Sequence, residues 1–189
     1  MRIIAGKFKS FGLITAEGKT TRPTSGFNRE VIFSMYQDFT DKKVLDLFAG
    51  SGSFGFEALS RGAIFVDFVE FASLAIGVIL KNSKKLHCQE LCHIHRCLAE
   101  KYLRTATLDH DIIFMDPPYD KNLINPCLRL IYDNPTLNQE AIIIIEHSPR
   151  EKIDPAFQTR ILRQKSGKNT AFSILSATEQ TPESVNTMA

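Results

Sequence analysis

Two stretches of the sequence place acidic side chains where they could bind a small charged ligand. In the run from Val44 to Gly52, Asp46 lies in a short apolar segment that passes directly into a glycine turn. The second stretch, Asp116-Pro117-Pro118-Tyr119, follows the apolar run from Asp111 to Met115. Short apolar runs bounded by turn residues are typical of buried strands, and open α/β sheets bind ligands at the carboxyl ends of such strands. Each stretch therefore predicts part of a ligand site.

The first stretch has the features of a nucleotide-binding turn. Glycine at positions 50 and 52 lets the backbone turn sharply and approach a ligand closely. A second predicted strand, Phe65–Val69, ends at Glu70, where a carboxylate can accept hydrogen bonds from both hydroxyls of a ribose. Asp46 supplies a further acid for the charged amino-acid tail of a cofactor.

The same turn also satisfies the dinucleotide pattern G-x-G-x-x-G, because glycine recurs at position 55. A dehydrogenase is therefore an alternative. Two features favour a methyltransferase instead, namely Asp46 within the first strand and the motif that begins at Asp116. In addition, dehydrogenases usually continue with further βα units, whereas the C-terminal pattern here predicts a closing antiparallel hairpin.

The motif at Asp116 has the groups needed to bind an amino group on an aromatic base. The Asp116 carboxylate and the Pro117 carbonyl are two acceptors, and an exocyclic NH2 offers two donors. Pro118 restrains the backbone, and Tyr119 offers a flat face for base stacking, worth roughly 1–3 kcal/mol. Holding both hydrogens would free the nitrogen lone pair to attack a sulfonium methyl group. The simpler alternative is an Asp-Pro turn at a strand end, with Tyr119 covering the core.

Composition and charge narrow the class of protein. The 189 residues, 43% of them hydrophobic and 23% charged, indicate one soluble globular domain. The longest clean apolar run, Ala141–Ile145, is far shorter than the roughly 20 residues that span a bilayer, so we expect a cytoplasmic protein. The net charge is only +2, but residues 1–29 contain six basic residues against Glu17 alone. This segment predicts contact with a phosphate backbone; a solvated hairpin with scattered lysines is the alternative.

Three cysteines and three histidines lie between His87 and Cys97, which suggests a metal cluster. However, no Cys-x-x-Cys pair occurs in the chain, and the spacing matches no common zinc pattern. We therefore expect reduced thiols and no metal site.

The remaining pattern predicts an α/β fold. Alternating strands and helices predict a Rossmann-like, mostly parallel seven-stranded sheet with a C-terminal antiparallel hairpin. The N-terminal segment predicts a β-hairpin extension beside this sheet. Predicted helices include Leu74–Leu86, Ala99–Leu108 and Leu123–Tyr132, and the closing hairpin is predicted from Gln158–Gln164 and Thr170–Leu175.

Several motifs together carry a family resemblance. They are Arg2-Ile3-Ile4-Ala5-Gly6-Lys7, Arg22-Pro23-Thr24, Arg29-Glu30 with Phe33, Leu45–Gly52, Glu57–Gly62 and Asp116–Tyr119. With them the chain resembles, over residues 2 to about 175, the bacterial 16S rRNA (guanine-N2)-methyltransferases of the RsmD type. Methyltransferases that act on amino groups of adenine, cytosine and glutamine share the last motif in similar form, so it is the least specific. The resemblance implies a class I methyltransferase with S-adenosylmethionine as methyl donor and an N-terminal extension that engages RNA.

The resemblance and the motifs together give each position a predicted role. The predicted catalytic residues are Asp116, Pro117, Pro118 and Tyr119. The predicted cofactor-binding residues are Thr24, Asp46, Phe48, Ala49, Gly50, Ser51, Gly52, Glu70, Phe71, Leu98 and Asp116. The predicted RNA-binding residues are Arg2, Lys7, Lys9, Lys19 and Arg22. We assign residues 1–30 to the RNA-binding extension, 31–176 to the methyltransferase domain and 177–189 to a disordered tail. We expect a monomer that acts on 16S rRNA or a small-subunit assembly particle, and neither DNA nor a membrane as partner.

The chain departs from the family pattern at three places. Gly26-Phe27 stands where Asp-Arg is usual, and Phe71-Ala72 stands where Lys-Asp is usual. No acid lies near Cys97-Leu98-Ala99, where the family often has an aspartate for the adenine amino group, so a backbone carbonyl is the expected substitute. Two other functions stay open. One is an adenine-N6 nucleic-acid methyltransferase, although no separate target-recognition domain is visible. The other is a non-catalytic, nucleotide-binding ribosome assembly factor.

Overall fold

The computed structural model describes residues 1–15 and 26–180, in which strands and helices alternate along the chain. The helices are α1 (Gly26–Met35), α2 (Ser53–Ser60), α3 (Ser73–Lys85), α4 (Ala99–Leu103) and α5 (Ile124–Tyr132). The strands are β1 (Lys43–Asp46), β2 (Phe65–Glu70), β3 (Cys92–Arg96), β4 (Ile112–Met115), β5 (Ile142–His147), β6 (Ile161–Ser166) and β7 (Ala171–Ser176). Short 3-10 turns occupy Gln89–Leu91 and Pro155–Arg160.

The strands form one seven-stranded sheet in the order β3-β2-β1-β4-β5-β7-β6. The first five strands are parallel, and β7 runs antiparallel between β5 and β6. The predicted mostly parallel sheet with a C-terminal antiparallel hairpin is therefore confirmed. Strands β1 and β4 lie at its centre, where helices cover both faces of the sheet, and most of their residues are therefore apolar and buried.

Alternate residues of each strand pack into two separate cores on opposite faces of the sheet. On the face covered by α1, α2 and α3, the Phe54 ring stacks on Phe114 at 3.7 Å between centroids and on Phe33 at 5.0 Å. On the other face, Ile113 packs with Leu128 of α5 in a core that also includes α4. Both cores fix the strand ends that carry the candidate site.

The N-terminal segment folds back as a loop with one antiparallel bridge, between Arg2 and Gly12. It packs on α2 and α3 and not beside the sheet, so the predicted hairpin extension is reduced to a single bridge within residues 1–15. The predicted RNA-binding residues Lys19 and Arg22 and the predicted cofactor-binding residue Thr24 lie outside the described residues.

Several predicted element boundaries and faces need correction. The helix predicted over Leu74–Leu86 is present as Ser73–Lys85, but two of its leucines face solvent, since Leu74 is 82% exposed and Leu80 48% exposed. Its buried residues are Ala75, Val78, Ile79, Asn82 and Ser83, which follow helical spacing that Leu80 does not share.

The other differences lie at element ends. Helix α4 stops at Leu103 rather than Leu108. The first three residues of the strand predicted over Gln158–Gln164 belong to the 3-10 turn Pro155–Arg160, and the strand begins at Ile161. Of the predicted tail, residues 181–189 lie outside the described residues, and Ala177 is buried, with its N–H donating to the Ala141 carbonyl. In the described ranges, no helix has both the length and the apolar character to cross a membrane.

Candidate active site

The carboxyl ends of the parallel strands bring the predicted site residues to one edge of the sheet. Asp46 ends β1, Glu70 ends β2, and Asp116 directly follows β4. Strand β1 pairs with both β2 and β4, so chain order reverses there, and open α/β sheets bind ligands at such a point. Because β7 is antiparallel to β5, its first residue pairs with His147 at this same edge.

The glycine turn after β1 leaves open space for a ligand. Gly50 and Gly52 have φ angles of +53° and +76°, a region that favours glycine. A Cβ atom built on Gly50 meets no atom within 4 Å, whereas one on Gly52 would lie 2.7 Å from the Phe56 ring. The turn is therefore open above Gly50 and closely packed below Gly52. This shape fits the close approach of a cofactor.

Asp46 is 1% exposed and lies beneath the turn. Its Oδ2 atom accepts a hydrogen bond from the Gly55 N–H at 3.2 Å. Helix α2 has Gly52 at its N-cap, which has no side chain to satisfy the free N–H groups of the first turn, and Asp46 satisfies one of them from the neighbouring strand. The pKa of Asp46 is raised to about 7, mainly by burial. The negative charge of Glu70 also raises it, and the hydrogen bond from the Gly55 N–H lowers it.

The raised pKa of Asp46 gives a prediction about cofactor binding. The ammonium group of a cofactor's amino-acid tail is attracted to Asp46 only when Asp46 is ionised. Below pH 7 most Asp46 side chains are protonated, so binding of the tail must first release a proton from Asp46. Affinity for S-adenosylmethionine should therefore rise about tenfold between pH 6 and pH 8, mostly below pH 7, and then level off. Calorimetric titration in buffers of different ionisation enthalpy measures both the affinity and the proton released.

Asp46→Asn is the control for this prediction, because the amide oxygen can still accept from Gly55. The variant should bind the cofactor more weakly, with an affinity that changes little from pH 6 to pH 8. An affinity of the unchanged protein that stays constant across this range would place the cofactor tail away from Asp46.

Glu70 joins the glycine turn to the beginning of α3. Its Oε1 atom accepts from the N–H groups of Phe71 and Ala72, both at 2.8 Å, and its Oε2 atom accepts from the Gly50 N–H at 2.9 Å. A carboxylate has about four acceptor positions, so these bonds leave one. Binding of a single ribose hydroxyl is compatible with this arrangement, and the predicted binding of both requires one backbone bond to be exchanged.

Exposed apolar side chains follow β2 and β3 beside Glu70. Phe71 is 62% exposed and Leu98 is 58% exposed, and the two strands are parallel neighbours with Glu70 opposite Arg96. Such side chains are suited to the face of an adenine ring, which remains a prediction. Leu74 is also exposed after β2.

The other predicted turn residues are held by backbone contacts. The Ala49 N–H donates to the Val69 carbonyl at 3.1 Å, and the Ser51 carbonyl accepts from Asn82 at 3.2 Å. Phe48 is half-buried. These contacts hold the turn between β2 and α3.

The Asp-Pro-Pro-Tyr motif is anchored through its tyrosine. Asp116 is half-buried after the fully buried strand β4, Pro117 is buried and Pro118 is exposed. The Tyr119 hydroxyl donates to Glu146 Oε1 at 3.2 Å and lies 3.1 Å from Thr170 Oγ1. Burial is the main reason that the pKa of Tyr119 rises to about 12. The phenol is therefore neutral and fixes the orientation of the ring.

Glu146 was not among the predicted site residues. It is 2% exposed and its Oε1 atom also accepts from Asn28 Nδ2 at 2.7 Å, which joins α1 to the tyrosine anchor. The signal for it in the sequence was an acid directly after the apolar run Ala141–Ile145. The structure extends β5 through Glu146 and His147, two residues beyond that run.

A buried acid on α2 holds the N-terminal loop. Glu57 is fully buried and accepts from the N–H groups of Ile4 at 2.7 Å and Ala5 at 3.0 Å. Its charge is matched by Arg61, at 2.9 Å, and by the buried Arg29, at 3.8 Å. Two of the motifs that carry the resemblance, at residues 2–7 and 57–62, therefore contact each other.

Gly6 lies so close to α2 that no side chain fits there. A Cβ atom at this position would be 1.7 Å from the Ser60 carbonyl oxygen. Ser60 bonds on both sides of the glycine, since its hydroxyl donates to the Ala5 carbonyl and its carbonyl accepts from the Lys7 N–H. The loop is thus held by backbone bonds to one helical turn.

Asn82 connects the same segment to the glycine turn. Its Oδ1 atom accepts from the Ile14 N–H at 2.8 Å, while its Nδ2 atom donates to the carbonyls of Ile14 at 3.0 Å and Ser51 at 3.2 Å. One buried side chain therefore contacts both the basic segment and the predicted cofactor site. Periodicity did not indicate this residue, because it occupies a buried position of an otherwise apolar helix face.

The basic side chains of the N-terminal loop in residues 1–15 are exposed, but the nearby Arg29 of α1 is not. Arg2, Lys7 and Lys9 face solvent, whereas Arg29 is buried against Glu57 and adds nothing to the surface charge. Lys85 of α3 lies beside them, because its Nζ atom donates to the Gly12 carbonyl. Lys19 and Arg22 lie outside the described residues.

The sheet order, the open glycine turn and the acids at the ends of β1, β2 and β4 define an S-adenosylmethionine-dependent methyltransferase. The dehydrogenase alternative is therefore rejected. The chain belongs to the family described as Conserved hypothetical protein 95, which matches residues 1–176, and the predicted RsmD-type resemblance is confirmed.

Relatives and solved structures agree with this family. Ribosomal RNA small subunit methyltransferase D of Buchnera aphidicola subsp. Baizongia pistaciae is 31% identical, over 92% of this chain and 90% of the relative. The solved structure of the Escherichia coli protein yhhF is 28% identical, with a TM-score of 0.82 over 95% of this chain and 99% of that chain. An RNA methyltransferase from Salinibacter ruber, in complex with S-adenosyl-L-homocysteine, shares the fold at 13% identity and a TM-score of 0.65, over 85% of this chain and 97% of that chain.

Proposed function

We propose that this methyltransferase modifies the exocyclic N2 amino group of a guanine in 16S rRNA. The observation that carries the proposal is Asp-Pro-Pro-Tyr at the end of β4, beside the glycine turn, with its tyrosine anchored to Glu146 and Thr170. The name of the Buchnera relative, a small-subunit rRNA methyltransferase, supports rRNA as the substrate. A site with two hydrogen-bond acceptors and a fixed aromatic face suits an amino group on a base.

In this proposal the chain positions the base and stabilises the charge that develops on its nitrogen. S-adenosylmethionine supplies an electrophilic methyl group when bound. Asp116 and the Pro117 carbonyl accept the two amino hydrogens and hold the nitrogen lone pair toward the glycine turn, and Tyr119 stacks on the base. As the new N–C bond forms, the bond from the methyl carbon to sulfur breaks and its electron pair stays on the sulfur. The methylated nitrogen then loses one proton, which the hydrogen-bonded Asp116 carboxylate would accept and pass to solvent. Positioning and electrostatics therefore account for the rate, with no covalent step on the protein.

The exposed basic loop is proposed to bind RNA phosphates. The double variant Lys7→Ala/Lys9→Ala should bind RNA more weakly and with a smaller salt dependence, by about 0.7–0.9 in the log–log slope for each phosphate that a lysine no longer neutralises. Filter binding across a salt series measures the slope. Lys101→Ala/Lys152→Ala removes two exposed lysines elsewhere and is the control. Equal reductions of the salt slope in both variants would show that the loop is a solvated surface that binds no phosphate specifically.

The function is tested by the identity of the methylated nucleoside. Small-subunit particles and naked 16S rRNA from cells lacking this gene are incubated with the protein and isotopically labelled S-adenosylmethionine, then digested and separated by mass spectrometry. N2-methylguanosine at one position is the expected product. Labelled N6-methyladenosine would support the adenine alternative. Cofactor binding without any labelled nucleoside would support an assembly factor.

The same assay separates the two proposed forms of the substrate. We propose an assembly particle over naked rRNA, and a monomer as the active form. Within residues 1–15 the loop offers three exposed basic side chains, those of Arg2, Lys7 and Lys9, and folded rRNA held by ribosomal proteins is the better fit to such a short contact. Faster labelling of naked rRNA than of particles would contradict this preference.

A further inference from the structure

One acid and three histidines meet on the sheet away from the active site. Asp67 of β2 pairs in register with His93 of β3, and His95 lies two residues further along that strand. Since alternate residues share a face, the two histidines project to the same side. His110, from the segment before β4, approaches Asp67 from the other direction. The cluster thus draws on three separate parts of the chain.

The donor atoms of this cluster are close enough to share one ion. Asp67 Oδ1 lies 2.5 Å from His95 Nε2 and 3.7 Å from His93 Nδ1, and the ligand atoms of these three residues all lie within 4.8 Å of one another. Four-coordinate zinc holds nitrogen and oxygen ligands at about 2.0–2.2 Å, which places them roughly 3.4 Å from each other. To reach this spacing, the 2.5 Å distance must open by about 0.9 Å, the 3.7 Å distance must close by about 0.3 Å, and the distance between the two histidine nitrogens, at most 4.8 Å, must close by at most about 1.4 Å. Rotation of the exposed His93 side chain provides most of this movement.

The surroundings suit an ion with an open coordination position. The His93 side chain is 64% exposed, so it can move, while Asp67 is 15% exposed and is held from its other oxygen by His110 Nε2 at 2.9 Å. Histidine bonds of this kind orient metal-bound carboxylates. A cavity of about 340 Å³ adjoins the cluster, lined by His95, Tyr102 and Thr105 among others. A water molecule can therefore reach the fourth position.

We propose that Asp67, His93 and His95 bind one divalent ion of the zinc class, with His110 orienting the carboxylate. Two imidazoles and one carboxylate are a donor set that such ions prefer. Asp67 lies three residues before Glu70, roughly 10 Å along the strand, so the ion would lie outside the cofactor site. Its effect is to join the edge strand β3 to β2.

The site escaped the sequence pattern for a physical reason. The cysteines around His93 and His95 suggested a local zinc motif, and its spacing was wrong. Cys88 is buried, and the thiol of Cys92 donates to the Cys88 carbonyl, so these two thiols are occupied in the fold. The carboxylate ligand lies 26 residues before His93 and is brought near only by strand pairing.

Titration of the chelator-treated protein with Co²⁺ and Zn²⁺ tests the proposal. One equivalent of Co²⁺ should give the visible absorption of a low-coordinate site, and Zn²⁺ should displace it. His93→Asn and Asp67→Asn should each weaken Zn²⁺ binding at least tenfold. Zn²⁺ should also raise the melting temperature of the unchanged protein and not that of His93→Asn, since an ion that binds only the folded state stabilises it.

Two control variants exclude other sources of binding. His87→Asn removes an exposed histidine outside the cluster, at a positive φ that asparagine tolerates, and Cys97→Ser removes the neighbouring thiol. Both should bind Zn²⁺ as the unchanged protein does. Circular dichroism verifies that His93→Asn is folded, which its exposure favours. No stoichiometric binding, unchanged binding by His93→Asn, or loss of binding in Cys97→Ser would each overturn the site.

Discussion

Replacing Asp116 with alanine should slow methyl transfer about a hundredfold or more while RNA affinity changes by about 1 kcal/mol or less. The ground-state contact is one hydrogen bond exchanged with water, which has a small net value. The same contact strengthens as charge develops on the nitrogen, so its loss appears mainly in the rate. Tyr119 remains anchored to Glu146 and Thr170, and the basic loop is untouched. Binding and chemistry should therefore separate in this variant.

Single-turnover methyl transfer at saturating cofactor and RNA measures the rate, and equilibrium RNA binding measures the affinity. Asp120→Asn is the matched control, since this exposed acid lies four residues further along and asparagine tolerates its φ of +59°. A rate above about a third of the unchanged protein, a cost of less than about 1 kcal/mol, would show that Asp116 does not hold the amino group. A large loss of RNA affinity would assign Asp116 to binding instead.

Glu57→Ala should have the largest effect on stability, a loss of about 3–5 kcal/mol in the free energy of unfolding. The substitution leaves the buried Arg29 guanidinium without its carboxylate and frees the N–H groups of Ile4 and Ala5. Burial already lowers the pKa of Arg29, which shows that its environment disfavours the charge. The N-terminal loop should detach first, because its backbone bonds to Glu57 are removed.

Urea unfolding gives the free energy, and limited proteolysis reports whether residues 1–15 have detached. Glu57→Gln keeps the shape of the side chain and one acceptor, so the free energy of unfolding should fall less than in Glu57→Ala. Glu140→Ala removes an exposed acid and is the control. A loss of less than about 1 kcal/mol in Glu57→Ala would mean that water or the loop itself can replace the carboxylate. Gly6→Ala should detach the loop even with Glu57 present, because its Cβ would meet the Ser60 carbonyl.

The N-terminal loop contributes to folding as well as to the proposed RNA binding. Removal of the whole basic segment would expose Glu57 and break the hydrogen bonds between Asn82 and Ile14, so any loss of RNA affinity would be confounded by a loss of folding. Substitution of the exposed side chains of Lys7 and Lys9 leaves the backbone bonds of the loop in place. The RNA contribution is therefore measured from these lysines.

The sequence alone determined the five parallel strands and the edge of the sheet at which the candidate site lies. An apolar run such as Ile112–Met115, followed directly by an acid and two prolines, has few structural solutions other than a buried strand that ends there. Asp46, Glu70 and Asp116 were each placed at a strand end in this way. Since the carboxyl ends of parallel strands meet at one edge, three local patterns were sufficient to predict one shared site.

The buried faces of helices were predicted less well than the strands. A row of apolar residues marks the buried face of a helix only when no polar residue lies on the same face. Asn82 lies at the centre of the buried face of α3, and Leu74 and Leu80 lie outside it. The polar side chain is buried because it satisfies the backbone of Ile14 and Ser51. That compensation depends on two segments 68 and 31 residues away.

Only the tertiary structure decided which polar groups meet. Glu57 binds backbone 52 and 53 residues earlier, and Tyr119 is anchored 27 and 51 residues later. Asp67 meets His95 through strand pairing and His110 from the segment before β4. Periodicity reports which face of an element is buried, because burial repeats every two residues in a strand and about every 3.6 in a helix. Periodicity carries no information on how separate elements align with one another. That alignment determines which partner a buried polar group meets.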